Sequence, residues 1–139
     1  MEQMHTREEK MAAFGRMLDV LDTLREKCPW DKKQTNESLR PNTIEETYEL
    51  CDALMKDDTD DICKELGDVL LHVGFYARIG EENLQFDIAD VCNRLVDKLI
   101  FRHPHVYHPS QLGVLDPKPL PYGEDLGENE FAGAKNVEQ

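Results

Sequence analysis

Five acidic side chains, spaced to share faces of two successive predicted helices, are the residues of this chain best suited to chemistry. They are Glu45, Glu46, Glu49, Glu65 and Asp68. At 100° per residue, the first three cover an arc of about 100° on their helix. Glu65 and Asp68 are three residues apart and project from one face of the next helix. Both groups border apolar stripes, so packing of the two stripes would bring the carboxylates together beside one interface.

Carboxylates gathered in a half-buried groove repel one another, and each is pushed towards protonation unless a cation lies between them. A ligand set made only of oxygen atoms predicts a hard ion, Mg²⁺ or Mn²⁺, rather than Zn²⁺. The alternative is that these residues form solvated helix faces of an acidic protein, and spacing alone leaves both interpretations open. A di-iron carboxylate bundle is disfavoured, because such sites use Glu-x-x-His on two helices. No glutamate of the predicted helices has histidine three residues later.

Four helices are predicted to position these groups, at about 6–27, 41–56, 59–82 and 87–102. Apolar residues recur in them at helical spacing. Thr6 with Glu9 predicts a capping box for the first helix, and Asp87 is the expected N-cap of the fourth. An ordered loop is expected over 28–41. No strand-like alternation competes, so the predicted fold class is all-α, resembling a four-helix bundle.

The predicted core consists of one apolar stripe on each helix. On the second helix the stripe is Ile44, Tyr48, Cys51 and Met55, and on the third it is Ile62, Leu66, Val69, Val73 and Ala77. Glycines at 67, 74 and 80 each cost the third helix about 1 kcal/mol relative to alanine. We expect a neighbouring helix to approach closely there.

Composition limits the classes of function. The chain has 139 residues and a formal net charge of −13. Such an acidic surface repels phosphate backbones and anionic lipids. Neither a nucleic-acid polymer nor a membrane is therefore an expected partner.

Residues 109–139 hold four of the seven prolines and four of the eight glycines. They are predicted to be a flexible acidic tail after one domain, 1–108.

The four cysteines, at positions 28, 51, 63 and 92, show no paired spacing. A disulfide framework is therefore not expected, and the predicted location is the reducing cytoplasm. The first ten residues are charged and lack the apolar region of a secretory signal.

Five segments of this chain occur in the order found in MazG-type nucleoside triphosphate pyrophosphohydrolases. They are CPWD (28–31), IEETYE (44–49), KELGD (64–68), FDI (86–88) and KLIFRHPHV (98–106). The resemblance covers about residues 11–107, and the family motif EExxE followed by ExxD is matched at all five acidic positions. The chain therefore resembles a single MazG domain.

This resemblance implies an all-α enzyme, working as a homodimer, that needs Mg²⁺, with Mn²⁺ able to substitute. Its implied reaction is hydrolysis of NTPs or dNTPs to the monophosphate and pyrophosphate, which removes unwanted nucleotides from the pool. Carried over by position, the implied metal ligands are Glu46, Glu49, Glu65 and Asp68. Glu45 is implied as a catalytic residue, either a further ligand or the group that orients the attacking water.

Substrate contacts are expected outside the carboxylates. Arg94, Lys98 and Arg102 form a basic stripe on the fourth helix, which either pairs with acids on the surface or contacts phosphate. Lys98 and Arg102 match a family segment, so we expect these two to contact phosphate. Trp30 is expected either to stack on a base or to plug its loop onto the bundle. Asp31 is expected either to cap that loop or to contact the nucleotide.

Two departures from the family favour an alternative function. Phe101 stands where the family often has a second arginine, and many relatives carry two such domains in tandem, whereas this chain has one. The alternative is a catalytically weak, nucleotide-binding regulatory or dimerisation module. His72 stands where the family more often has glutamine, and an interfacial histidine with satisfied hydrogen bonds is expected there.

Overall fold

The computed structural model of the protein describes residues 4–107, in which five helices form. They are α1 (Arg7–Lys27), α2 (Pro29–Lys32), α3 (Asn36–Lys56), α4 (Thr59–Glu82) and α5 (Ile88–Arg102). No strand lies within these residues, which confirms the predicted all-α class. The chain divides into two compact units, the first ending at Gln85 and the second beginning at Phe86. The predicted tail, 109–139, lies outside the described residues.

Side-chain caps begin α1 and α5 where the sequence predicts them. The Thr6 hydroxyl accepts from the Glu9 N–H at 3.1 Å, and a Glu9 carboxylate oxygen accepts from the Thr6 N–H at 2.8 Å. Asp87 and Asp90 exchange the same pair of bonds at the start of α5. These bonds satisfy N–H groups that the first turn of a helix leaves without partners. None of the helices described between residues 4 and 107 has the length and apolarity needed to cross a membrane.

The predicted loop over 28–41 is wrong in two places. An additional short helix, α2, lies within it, and the next helix begins earlier than predicted. Pro29 starts α2, because proline at the first helical position has a suitable φ and needs no N–H partner. α3 begins at Asn36 rather than at Pro41, because the Thr35 hydroxyl accepts from an N–H of the first turn at 3.1 Å. Pro41 therefore lies inside α3, exposed, where it removes one backbone hydrogen bond near the helix start.

A turn of two aspartates joins α3 to α4. Asp57 has a left-handed backbone with φ of 56°, and the Asp58 side chain caps α4 by accepting from the Asp61 N–H at 3.1 Å. Asp60 and Asp61 lie in the first turn of α4, where the helix dipole favours negative charge. The acidic run is thus a turn and a helix start, and it makes α3 and α4 neighbours in a helical hairpin.

The predicted buried stripe of α3 is wrong. Its four members, Ile44, Tyr48, Cys51 and Met55, are all exposed. The less exposed face of α3 consists of Leu39, Thr43, Glu46, Leu50 and Ala53. On α4 the prediction is right for Ala77, which is buried, and for the half-buried Ile62 and Val69, but wrong for the exposed Leu66 and Val73.

Hydrogen bonds with α4 explain this rotation of α3. The Thr43 hydroxyl lies 2.5 Å from His72 Nδ1 and 2.5 Å from the Tyr76 hydroxyl, and it donates to the Leu39 carbonyl at 3.1 Å. A hydroxyl has a single proton, so Thr43 accepts from His72 and from Tyr76. Turning α3 to bury Ile44 would leave these polar groups unpaired, at about 1–3 kcal/mol for each one that is buried.

The core of the first unit joins α1 to this hairpin. Leu21, Leu39, Phe75 and Ile79 form a buried cluster. At Gly74 of α4 an added Cβ would lie 2.6 Å from Leu21 Cδ1, which confirms the close helix approach expected there. At Gly67 an added Cβ would meet nothing within 4 Å, so the same explanation is wrong for Gly67.

Arg25 ties α1, α2 and α4 together at one end of the first unit. Its Nε and one terminal nitrogen donate to the two carboxylate oxygens of Glu82, at 2.7 and 2.9 Å. The other terminal nitrogen donates to the backbone carbonyls of Asp31, Lys32 and Gln34. The hydrogen bond and charge of Arg25 lower the pKa of Glu82. Because this pair is bidentate and half-buried, it has the geometry of the stronger charge-assisted bonds.

Replacement of Gly74 by alanine is expected to lower the free energy of unfolding by about 1 kcal/mol, because the new methyl group overpacks the contact with buried Leu21. Gly15→Ala is the matched control, since an added Cβ at Gly15 meets nothing within 4 Å. We expect it to stabilise by about 0.4–1 kcal/mol. Denaturant unfolding measures both variants, and an equal gain in stability would contradict the close approach at Gly74.

Candidate metal centre

The helical hairpin brings together the carboxylates of Glu46, Glu49 and Glu65. One carboxylate oxygen of each residue can be taken such that all three oxygens lie within 4.8 Å of one another. Glu65 is 4% exposed, Glu46 is half-buried and Glu49 is exposed, so the group runs from the helix interface to the surface. These three acids of two helices meet at one interface, although the apolar stripe of α3, whose packing was expected to bring them together, is exposed.

Asp68 lies one turn along α4 from Glu65 and borders this group. Its side chain is 40% exposed, and one of its oxygens lies 3.5 Å from the Lys64 ammonium. The charge of Asp68 contributes to raising the pKa of Glu46, and a hydrogen bond with Asp68 contributes to raising that of Glu65. The fourth expected ligand therefore interacts with the cluster without belonging to its tightest part.

Glu46 is the member of the cluster that most clearly lacks a positive partner. Burial, followed by the charges of Glu49, Asp68 and Glu65, raises its pKa above the usual value. Its Oε2 atom is buried and has no hydrogen-bond partner among the residues that the structure describes. A buried carboxylate oxygen without a donor is costly, and a cation is the partner that would satisfy it.

Glu65 is the most buried member of the cluster. Burial raises its pKa, the hydrogen bond from Lys64 lowers it, and the hydrogen bond with Asp68 raises it again, with a net upward shift. The Lys64 ammonium lies 3.3 Å from Glu65 Oε1. Lys64 was not among the predicted site residues, because neighbours in sequence ordinarily point to different faces of a helix.

The donor set fits a hard divalent cation. It consists of carboxylate oxygens from two helices, with no cysteine or histidine among the grouped ligand atoms. Such a set suits Mg²⁺ or Mn²⁺, which prefer oxygen ligands, over Zn²⁺. The grouped oxygens belong to Glu46, Glu49 and Glu65, and the expected role of Asp68 as a fourth ligand stays a prediction.

Glu45 lies apart from the grouped oxygens. It follows Ile44 on α3 and is exposed, and one residue of helix turns it by 100° from Glu46. Its expected role beside the metal stays a prediction.

The other expected substrate residues lie on different elements. Trp30 and Asp31 lie on α2, whose carbonyls Arg25 holds. The Trp30 side chain is 76% exposed, so the alternative in which it plugs the loop onto the bundle is wrong. Lys98 and Arg102 lie on α5 in the second unit, where Lys98 is half-buried, Arg102 is buried and both have interaction partners.

Thr43, His72 and Tyr76 form a polar group one helical turn from the cluster. Thr43 precedes Glu46 by three residues on α3, and His72 follows Asp68 by four on α4, so the network and the acids share one interface. The expectation of an interfacial histidine with satisfied hydrogen bonds is confirmed at His72 Nδ1. Thr43 could have been found from its spacing to Glu46, which places a polar side chain on the same face.

His103 Nδ1 lies 2.5 Å from the Leu99 carbonyl, so this ring binds a carbonyl at the end of α5. The four cysteines are all free thiols, which agrees with the absence of paired spacing.

The fold and the site define an all-α protein whose carboxylate cluster suits a divalent cation. The domain described as "MazG nucleotide pyrophosphohydrolase domain" matches residues 34–107. The chain belongs to this family.

Curated relatives agree with this assignment. Over 103 residues the chain is 46% identical to the nucleoside triphosphate pyrophosphohydrolase of Escherichia coli strain K12, a match that covers 72% of this chain and 39% of the relative. It is 48% identical over 99 residues to the nucleoside triphosphate pyrophosphohydrolase/pyrophosphatase MazG of Thermotoga maritima, covering 70% and 39%. The chain spans about two-fifths of the length of these relatives.

A solved structure resembles the fold. The crystal structure of a MazG-related protein from Thermotoga maritima superposes with a TM-score of 0.59 and covers 83% of this chain and 96% of its own. The two sequences are 23% identical in that superposition, so the likeness supports the fold alone.

In metal-free protein, Glu46→Gln is expected to raise the free energy of unfolding near neutral pH. The decrease of this free energy as the pH rises above 4.5 is expected to be smaller in the variant than in wild type. The folded-state pKa of Glu46 is raised, so its contribution is fully present below the unfolded pKa and is lost as the pH rises through the folded pKa. Urea unfolding over a series of pH values measures the effect. Exposed Glu45→Gln is the control, and equal profiles for the two variants would contradict the proposed charge crowding at Glu46.

Proposed function

We propose that the protein hydrolyses nucleoside triphosphates to the nucleoside monophosphate and pyrophosphate in a reaction that needs Mg²⁺. The observation that carries this proposal is the cluster of Glu46, Glu49 and Glu65, with its buried Oε2 atom of Glu46 that lacks a partner. Membership of the MazG family supports the reaction class, and the names of two curated relatives describe the same substrates. Removal of unwanted nucleotides from the cytoplasmic pool is the proposed role.

In this proposal Glu46, Glu49, Glu65 and Asp68 hold the ion, with Mn²⁺ able to replace Mg²⁺. A divalent ion there would neutralise the triphosphate, lower the pKa of a bound water and stabilise charge on the departing pyrophosphate. Packing of α3 on α4 fixes the buried carboxylate of Glu65 and the half-buried carboxylate of Glu46, so their geometry costs little reorganisation during the reaction. Glu45, the exposed residue that precedes Glu46 on α3, is proposed as a further ligand or as the residue that orients the attacking water.

Contacts to the rest of the nucleotide are proposed from residue chemistry. Lys98 and Arg102 supply positive charge for phosphate oxygens. The exposed indole of Trp30 offers a flat apolar surface on which a base can stack. Asp31 is proposed either to cap its loop or to contact the nucleotide, and its carbonyl bond to Arg25 favours the structural role.

A catalytically weak nucleotide-binding or dimerisation module is the second candidate function. Phe101 favours it, because this side chain replaces an arginine that often supplies a phosphate contact in the family. Such a module would gain thermal stability from nucleotide together with Mg²⁺ but would release no pyrophosphate.

We also propose that the protein forms a homodimer through the exposed apolar stripe of α3. Ile44, Tyr48 and Met55 are 60%, 73% and 85% exposed, and Leu66 of α4 is 53% exposed. Four large apolar side chains on two neighbouring helices form the kind of surface that marks an interaction site. The polar bonds of Thr43 hold this stripe outward, which suits a second copy as its partner.

Replacement of Glu65 or of Glu46 by glutamine is expected to reduce pyrophosphate release by about a hundredfold or more, because each change removes charge needed to bind the ion. The assay presents each common NTP and dNTP with Mg²⁺ and measures pyrophosphate. Glu37→Gln, an exposed position on the same α3, is the control and is expected to keep full activity.

Wild-type protein that releases no pyrophosphate from any nucleotide would contradict hydrolysis. Thermal stabilisation by nucleotide and Mg²⁺ in that same sample would then support the second candidate. The substrate profile of an active sample also gives the base preference and the choice between ribose and deoxyribose.

Tyr48→Lys is expected to convert the proposed dimer to a monomer, because it places a charge in the centre of the apolar stripe, where a partner would have to desolvate it. Sedimentation velocity measures the association state. Val20→Lys, at a 55% exposed apolar position of α1 outside the stripe, is the matched control and is expected to stay dimeric. A monomeric wild type, or dimers in both variants, would contradict this interface.

A further inference from the structure

The Lys64 ammonium lies against two of the carboxylates that we propose as metal ligands. It is 3.3 Å from Glu65 Oε1 and 3.5 Å from Asp68 Oδ2. Its own side chain is 67% exposed, whereas that of Glu65 is 6% exposed. A flexible, solvated cation therefore reaches inward to the most buried acid of the cluster.

This arrangement differs from an ordinary surface ion pair on the same hairpin. Lys56 pairs with Asp52 at 2.9 Å, and both side chains are at least 60% exposed. In a helix, an acid that precedes a lysine by four residues gives the more favourable order, and Asp52 with Lys56 follows it. Lys64 precedes Asp68, which is the less favourable order. Support of the α4 helix is therefore a poor explanation for the contact of Lys64.

The contacts of Lys64 are to two of the carboxylates that we propose as ligands of a divalent cation. Mg²⁺ binds carboxylate oxygen at about 2.0–2.1 Å and carries twice the charge of an ammonium group. Two cations on one carboxylate repel each other, so the metal and the ammonium cannot both keep close contact with Glu65 and Asp68. The long lysine stem and its exposure allow Lys64 to withdraw into solvent.

We propose that Lys64 is an internal counter-ion, which neutralises part of the carboxylate cluster in the metal-free protein and is displaced when the metal binds. Lys64 is a positioning residue in this role, because it acts through Glu65 and Asp68. It stabilises the folded hairpin without metal, and it lowers the affinity of the site for metal because its contacts must first be broken. The inference rests on the proposed function, since it takes these carboxylates to be metal ligands.

The test compares Mn²⁺ binding to wild type, Lys64→Met and Lys56→Met by electron paramagnetic resonance of the free ion, without nucleotide. Methionine keeps an unbranched side chain of similar length and removes the charge. Each of the two ion pairs of Lys64 is partly exposed and therefore weak, so Lys64→Met is expected to lower the Kd for Mn²⁺ by about threefold to tenfold. Lys56→Met removes the same charge from the same hairpin, and its Kd is expected to stay within about twofold of wild type.

Unfolding experiments give a second measurement that does not depend on activity. Without metal, Lys64→Met is expected to have a lower Tm than wild type, and saturating Mg²⁺ is expected to raise its Tm by more than that of wild type. Lys64→Arg restores the charge and is expected to behave as wild type in both experiments. If Lys64→Met does not fold, Lys64→Gln replaces it in the same comparison.

An unchanged or weaker Mn²⁺ affinity in Lys64→Met would overturn the inference, and so would an equal increase in Lys56→Met. Failure of the proposed function has a different signature. Wild-type protein that binds no Mn²⁺ contradicts the metal site and with it the inference. Wild-type protein that binds Mn²⁺ but hydrolyses no nucleotide contradicts the proposed reaction. The comparison of Mn²⁺ affinities then still tests the role of Lys64 as a counter-ion.

Discussion

Repulsion among carboxylates at the interface of α3 and α4 opposes folding of the first unit, and the other contacts of this unit must offset it. Glu46 and Glu65 approach each other from two helices and are both withdrawn from water. Burial of like charges opposes folding, so other contacts of the hairpin must offset it. The core around Leu21 and Phe75, and the Arg25 bond to Glu82, join the hairpin to α1 and supply that stability elsewhere. The cluster thus depends on contacts elsewhere in the first unit as well as on the contact between Lys64 and Glu65.

The polar bonds between α3 and α4 also determine what the hairpin leaves exposed. Thr43 accepts from His72 and Tyr76, and this places Glu46, three residues further on, at the same interface. The stripe that contains Ile44 and Tyr48 then faces outward. One rotation of α3 therefore has two consequences, a carboxylate cluster inside the hairpin and an apolar surface outside it. The proposed metal site and the proposed dimer depend on the same set of hydrogen bonds.

Local features of the sequence were sufficient for the helix ends and for much of the site. Caps such as Thr6 and Asp87 satisfy nearby N–H groups, so their spacing identifies a helix start without knowledge of the fold. Acids on consecutive helices joined by a short turn come together because the hairpin is antiparallel, which explains the success at Glu46 and Glu65. The buried stripe of α3 could not be predicted in this way. Apolarity favours burial of Ile44. The rotation of α3 is instead determined by the hydrogen-bond partners of Thr43 on α4, which residue spacing within one helix does not reveal.

Placement of negative charge also determines how an anionic substrate can approach. A triphosphate and the cluster of Glu46, Glu49 and Glu65 repel each other, so close contact between them requires a cation in the gap. Lys64 carries one positive charge and contacts Glu65 and Asp68, but the buried Oε2 of Glu46 is still without a partner. A single ammonium therefore satisfies only part of the cluster. A divalent ion held by Glu46, Glu49, Glu65 and Asp68 would supply the remaining positive charge that the proposed triphosphate substrate requires.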